Sequence, residues 1–218
     1  MIKIEHIESY GFEAAIRGMR NPMNSWDKSD TEVYANDIIK IGENDLKLMK
    51  KLYNAGTEHR KYLRQIMVSM DITAPLYWWK QMDTYKIGTT ANSCSTMHKL
   101  TYKEFERNDF SFDWDNISKV DSNIEMNAIN TIDDYIQFMN ILRNKYIETK
   151  DKTYWQLLVE ILPESYNQKR TITMNYENVA TIIKQRSNHK LQEWHDFCDT
   201  MLDNLPLIDN LINDKIPD

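Results

Sequence analysis

Glycine and proline are scarce in this 218-residue chain, with five of each. The glycines stand at positions 11, 18, 42, 56 and 88. No two are close enough to form G-x-G-x-x-G or a P-loop, so phosphate cradles of those types are excluded. Cysteine is almost absent. Cys94 and Cys198 form no C-x-x-C pair and no disulfide framework. The five histidines are scattered, with no H-E-x-x-H or Cys/His spacing, so no metal is expected. No apolar run approaches the roughly 20 residues that span a bilayer. Met1-Ile2-Lys3-Ile4-Glu5 lacks the apolar core of a signal peptide. A cytoplasmic protein with no membrane partner is therefore expected. Basic charge is in deficit as well. The net charge is −6 with both signs mixed along the chain, which argues against a nucleic-acid-coating protein.

What remains is an ordinary globular composition, 41% hydrophobic, long enough to bury a core without staples. No repeat or linker divides it, so one domain over 1–218 is expected. Ile2 to His6 alternates apolar and polar as a half-buried strand does. Phe12 to Arg20 reads as a helix stopping before Asn21-Pro22. The polar stretch 24–37 reads as loop. Asn44 is a candidate cap for a helix through Tyr53, with a further short helix starting at Glu58. Gln65 to Ile72 reads as a strand. Pro75 then suits the first position of a buried helix running to about Lys86. Residues 108–128 read as an exposed connection. Helical spacing returns over 131–148 and from Tyr154 to Leu162. Thr171 to Met174 is β-prone, and helices are expected over 176–186 and 188–204. Strands and helices mix without a regular βαβ alternation, which points to an α+β fold with a mixed or antiparallel sheet flanked by helices.

Thr89 to His98 is dense in small polar residues directly after the aromatic helix. It reads as a loop offering hydroxyls and free N–H groups to an anion, or as a loop in which Asn92 or Ser93 caps the next helix. Tyr77, Trp78, Trp79 and Tyr85 are either core or a stacking platform. Asn175, Arg186, His189 and Gln192 could hold a ligand or close a helix–helix junction. Arg17, Arg20 and Asn21 form a solvated face or an interface. Cys94 with His98 four residues on would share a helix face, but no local acid orients the histidine.

Two segments carry a resemblance. Gln81-Met82-Asp83-Thr84-Tyr85-Lys86 leads into Ile87-Gly88-Thr89-Thr90-Ala91-Asn92-Ser93-Cys94-Ser95-Thr96-Met97-His98. Further on come Leu162-Pro163, Tyr166, Ile172-Thr173-Met174-Asn175, Arg186 and Gln192. Together they resemble the flavin-dependent thymidylate synthases over roughly residues 60–204. In that family a buried helix with a glutamine leads into R-H-R-x7-S. A later strand ends in asparagine, followed by a helix with arginine. Gln81 falls on the family glutamine, Thr84-Tyr85-Lys86 on R-H-R, and Asn92 and Ser95 on the motif's asparagine and serine with one residue inserted. Ser93 stands in place of a glutamate, Met97 of an arginine, and Glu177 of the arginine shortly after the strand asparagine.

The resemblance implies a methyl transfer from methylenetetrahydrofolate to dUMP. Reduced FAD would deliver hydride and NADPH would be the reductant. It also implies a homotetramer. Carried over with its departures, it assigns Lys86, Asn92, Ser95, His98, Asn175 and His189 to the cofactor. Gln81, Ser93, Arg170 and Arg186 go to a dUMP-like nucleotide, and no catalytic residue is assigned. Arginine suits phosphates because its planar fork binds oxyanions bidentately, and only Lys86 is basic in the R-H-R segment. The alternative is a catalytically divergent nucleotide-binding or protein-interaction protein on the same fold, as in a phage or mobile element.

Overall fold

The computed structural model describes residues 2–34 and 39–212; the last positions of the expected loop 24–37 lie outside these. Strand β1 (Lys3–Tyr10) ends at Gly11, which adopts φ 94° and leads into helix α1 (Phe12–Arg20). A Cβ at Gly11 would lie 2.3 Å from the Gln65 carbonyl oxygen, so only glycine fits this corner. Helix α1 buries Phe12, Ala15, Ile16 and Met19. Short strands β2 (Glu32–Val33) and β3 (Ile39–Lys40) pair antiparallel.

Helix α2 (Glu43–Asn54) starts earlier than Asn44 would cap it. The cap comes from outside the helix. The Asp30 carboxylate accepts the Asn44 N–H at 2.9 Å and the Asp45 N–H at 3.1 Å. A carboxylate there also meets the positive end of the helix dipole. The segment after Glu58 forms a 3-10 turn, Arg60–Gln65. Strand β4 (Met67–Pro75) follows, with Val68, Met70, Ile72 and Ala74 buried in strict alternation.

Pro75 precedes helix α3 (Leu76–Met82) as its cap residue, one place earlier than expected. The helix stops at Met82 because Thr84 folds back, its hydroxyl donating to the Gln81 carbonyl at 2.7 Å. The expected loop 89–98 is instead strand β5 (Thr89–Ser93) and a short helix α4 (Thr96–Lys99) capped by Ser95, not by Asn92 or Ser93. Helix α5 (Trp114–Ile117) and the start of α6 (Ser122–Thr149) occupy the expected connection 108–128. Two of its acidic residues are caps. Asp113 accepts the Asn116 N–H and Asp121 accepts the Asn123 N–H. Helix α7 (Lys152–Glu160), strand β6 (Asn167–Asn175), and helices α8 (Tyr176–Arg186), α9 (Gln192–Asn204) and α10 (Ile208–Ile212) complete the order.

Four strands form one sheet in the order β1-β4-β6-β5. Ser69 bonds Thr173 and Asp71 accepts from Thr171. One member of each pair rises as the other falls, so β4 and β6 run antiparallel. The chain has an α+β fold built on an antiparallel sheet. Residues cluster into two compact units. One holds Ile72–Thr84 and Asn92–Arg170; the other holds Ile4–Asp71, Tyr85–Ala91 and the residues from Thr171 on. The first has a core of Leu100, Phe105, Phe110, Ile136, Met139, Leu142 and Leu158. The second buries Phe12 edge-on to Tyr176 at 5.4 Å between ring centres, together with Met70, Met174, Ile183 and Phe197. Among the described residues no helix is long and apolar enough to cross a membrane.

Candidate functional site

In the unit holding the end of β5 and the start of β6, Arg170 is held by residues of α3 and β6. Position 170 shares the buried face of β6 with Gln168, Ile172 and Met174. Two polar residues on an apolar face need partners. Arg170 Nη1 donates to Asp83 Oδ1 at 2.8 Å and Nε to Gln168 Oε1 at 3.0 Å. Gln168 in turn donates through Nε2 to the Cys94 carbonyl at 2.8 Å. The Arg170 guanidinium lies 4.2 Å over the Trp79 ring, whose Nε1 donates to the Gln168 carbonyl at 2.9 Å.

Trp78 and Trp79 are buried and meet edge-to-face at 4.9 Å, so these tryptophans are core and offer no open stacking face. Gln81 is half-buried on α3. Asn92, Ser93 and Cys94 are exposed. Ser95 is committed to capping, its hydroxyl accepting the His98 N–H at 3.2 Å. His98 and Met97 are exposed on α4.

In the other unit, segment Tyr85–Ala91 is laced to α8. The Tyr85 hydroxyl donates to Gln185 at 2.9 Å and accepts from Arg186 Nε at 2.9 Å. Nearer the start of α8, Asn178 Nδ2 donates to the Ile87 carbonyl at 2.7 Å and to Thr89 Oγ1 at 3.1 Å. Asn175 caps α8 by accepting the Asn178 N–H at 3.0 Å. Lys86 points out from this segment, exposed.

At the far end of α8 the Arg186 guanidinium stacks 4.9 Å from Trp194 and 5.6 Å from Tyr85. His189 lies edge-on to Trp194 at 6.2 Å, and its Nδ1 accepts the Leu191 N–H at 3.2 Å. Burial, then the Arg186 charge, with His195 and Lys190 adding, hold the His189 imidazole below its ordinary pKa. This end sets the Arg186 charge among aromatic rings. Asn175 and Arg186 sit at opposite ends of α8 and are not brought together. Gln192 turns to Asp196 at 2.9 Å.

Glu177, in the first turn of α8, accepts a charge-assisted bond from Arg64. Arg64 was not singled out by its sequence, because a partner 113 positions away leaves no local signal. Gln168 and Asp83 were missed too. The signal for Gln168 was its parity, a polar side chain in phase with Ile172 and Met174. Arg20 is not an interface residue. It is buried, with Nε donating to Asp45 at 2.6 Å and its Nη atoms to the Ser25 and Lys28 carbonyls. Arg17 pairs with Glu13 on the surface. Cys94 is exposed and Cys198 is buried, its thiol pushed up to about 12 by burial and by Asp199. A cavity of about 550 Å³ opens at the end of α1, lined by Met19, Asn21, Leu52, His59 and Tyr62 among others.

No protein-family model and no curated protein matches the sequence. The fold does have solved relatives. Thymidylate synthase X from Helicobacter pylori, crystallised with FAD and dUMP, is 18% identical at a TM-score of 0.69, over 98% of this chain and 98% of that one. A second structure of the flavin-dependent synthase from the same organism, complexed with FAD and dUMP, is 18% identical at 0.67, over 99% and 100%. From nearly one end to the other, this chain carries the fold of the flavin-dependent thymidylate synthases in a strongly diverged sequence.

Proposed function

We propose that this chain is a flavin-dependent thymidylate synthase-like protein that binds a dUMP-like nucleotide. The observation carrying this reading is the aromatic end of α8, where the Arg186 guanidinium lies over Tyr85 and Trp194 and His189 lies edge-on to Trp194. A cationic fork fixed on aromatic rings suits a planar, anionic ligand. The solved relatives of the fold were crystallised with dUMP, which supports the same ligand class here. In its fullest form the reading includes methylation of dUMP by methylenetetrahydrofolate, with NADPH as reductant, in a homotetramer.

The residues present do not fit a flavin pyrophosphate. Thr84 and Lys86 stand at the positions of the R-H-R arginines, so one of the two forks is gone and the other is a lysine; Glu177 is bonded to Arg64, and Arg170 is bonded to Asp83. Each charge-assisted hydrogen bond to a phosphate contributes roughly 1.5–3 kcal/mol, so losing several weakens FAD by orders of magnitude. This specific observation favours the second reading, a divergent nucleotide-binding protein that kept the fold without the flavin reaction.

An absorbance scan from about 300 to 550 nm, before and after loading with FAD and removing excess, separates the two. The expected spectrum is flavin-free, with dUMP still binding by calorimetry. Retained flavin bands would instead support the full reaction and call for a dUMP-dependent oxidation assay.

A further inference from the structure

We propose that helix α6 carries a self-complementary stripe on which a second copy of this chain docks antiparallel, about a two-fold axis between Phe138 and Ile141. One face of α6 is buried, with Ile136, Met139 and Leu142 in the core of their unit. On another face Thr131, Asp134, Phe138, Ile141, Lys145 and Glu148 follow one another at alternating steps of three and four, and all are exposed. That spacing is the seam of a helix pair. Phe138 is 45% exposed and Ile141 50%, and they are neighbours one turn apart at the middle of the stripe.

The order of these residues identifies the occupant. Outward from the midpoint the stripe is apolar on both sides, then acidic on one side and basic on the other, then a hydroxyl against an acid. An antiparallel two-fold pairing turns that order onto itself. Phe138 of one copy meets Ile141 of the other, Asp134 meets Lys145, and Thr131 meets Glu148, each contact occurring twice. A parallel pairing would set Asp134 on Asp134 and Lys145 on Lys145, so the charges also fix the direction. Asp133, next to Asp134, is taken by Arg107 on a different face. Within one copy Lys145 meets Glu148 at 2.8 Å, with the two side chains 51% and 67% exposed. A pair that open to water is too weak to keep the lysine from a partner. Two apolar layers make a modest contact, so the pairing is reversible and depends on concentration. The resemblance to the synthases implies four copies but no particular surface of this chain. A tetramer of dihedral symmetry needs more than one kind of two-fold contact, and α6 supplies one.

The test is sedimentation velocity on the full chain over a range of concentrations, with melting curves as the folding control. It compares the wild type, Asp134→Lys, Lys145→Asp, Ile141→Asn and an equimolar mixture of the two charge variants. In either charge variant alone the two-fold axis sets like charges together twice. In the mixed pair every charged contact is acid on base again. The expected result is self-association weakened about tenfold or more in each single variant, and restored to wild-type strength in the mixture. Association that the single variants leave unchanged overturns the inference, because the copies then meet elsewhere. A mixture that associates no better than its components overturns it too. A wild type that stays a single chain at every concentration also overturns it and leaves the stripe to a different protein. Should a charge variant fail to fold, Ile141→Asn decides: weakened association keeps the α6 contact, and unchanged association removes it.

Discussion

Asp45 shows how much one side chain decides. It is fully buried. Its Oδ1 accepts from Arg20, and its Oδ2 accepts from Ser29, the Asp30 and Thr31 N–H groups and the Thr31 hydroxyl. Burial alone would raise its pKa. The bonds from Thr31, Ser29, Arg20 and Asp30 outweigh it and hold the carboxyl below its ordinary range. A depressed carboxylate contributes stability that is present above its unfolded pKa, about 3.9, and lost as pH falls through the lower folded value. Asp45→Asn leaves Arg20 buried without a counter-charge. It should cost roughly 3–5 kcal/mol in urea unfolding at neutral pH. Below about pH 4 the gap to the wild type should narrow. A gap that widens on acidification would contradict the assignment.

At the scale of elements, segment 85–91 and helix α8 depend on one glycine. Gly88 has φ 71°, and a Cβ there would lie 2.6 Å from Asn175 Nδ2. Asn175 caps α8, so Gly88→Ala strains the backbone and displaces the cap together. A loss of about 1–3 kcal/mol is expected. Faster amide exchange should be confined to Tyr85–Ala91 and the first turn of α8. Exchange that speeds up everywhere except there would refute the coupling. Much at this scale was legible. Alternation gave β4, and helical spacing gave α1, α2, α6, α8 and α9, because period follows from local geometry. The misreadings share one cause. The Asn44 cap, the loop over 89–98 and the connection over 108–128 were each decided by a partner distant in sequence or by a polar residue acting as a cap. Thr89–Ser93 is polar and exposed, so only pairing beside β6 makes it a strand.

For the whole molecule, the resemblance implies a homotetramer, and static light scattering on the purified chain should return four times the chain mass. A mass equal to one chain would remove that expectation along with any site built between copies. The sequence by itself determined the α+β class, the absence of Gly-rich phosphate cradles, and the two ordered segments that resemble the synthases. All of these depend on residue type, spacing and period, which are one-dimensional properties. The tertiary structure decided what those residues do. Neither compact unit is a continuous stretch, so no boundary could be read along the chain. Arg170 with Asp83, and Glu177 with Arg64, are partners 87 and 113 positions apart. Whether a charge faces a ligand or another side chain is settled by such distant pairings, because Coulomb attraction and desolvation depend on separation in space and not along the sequence.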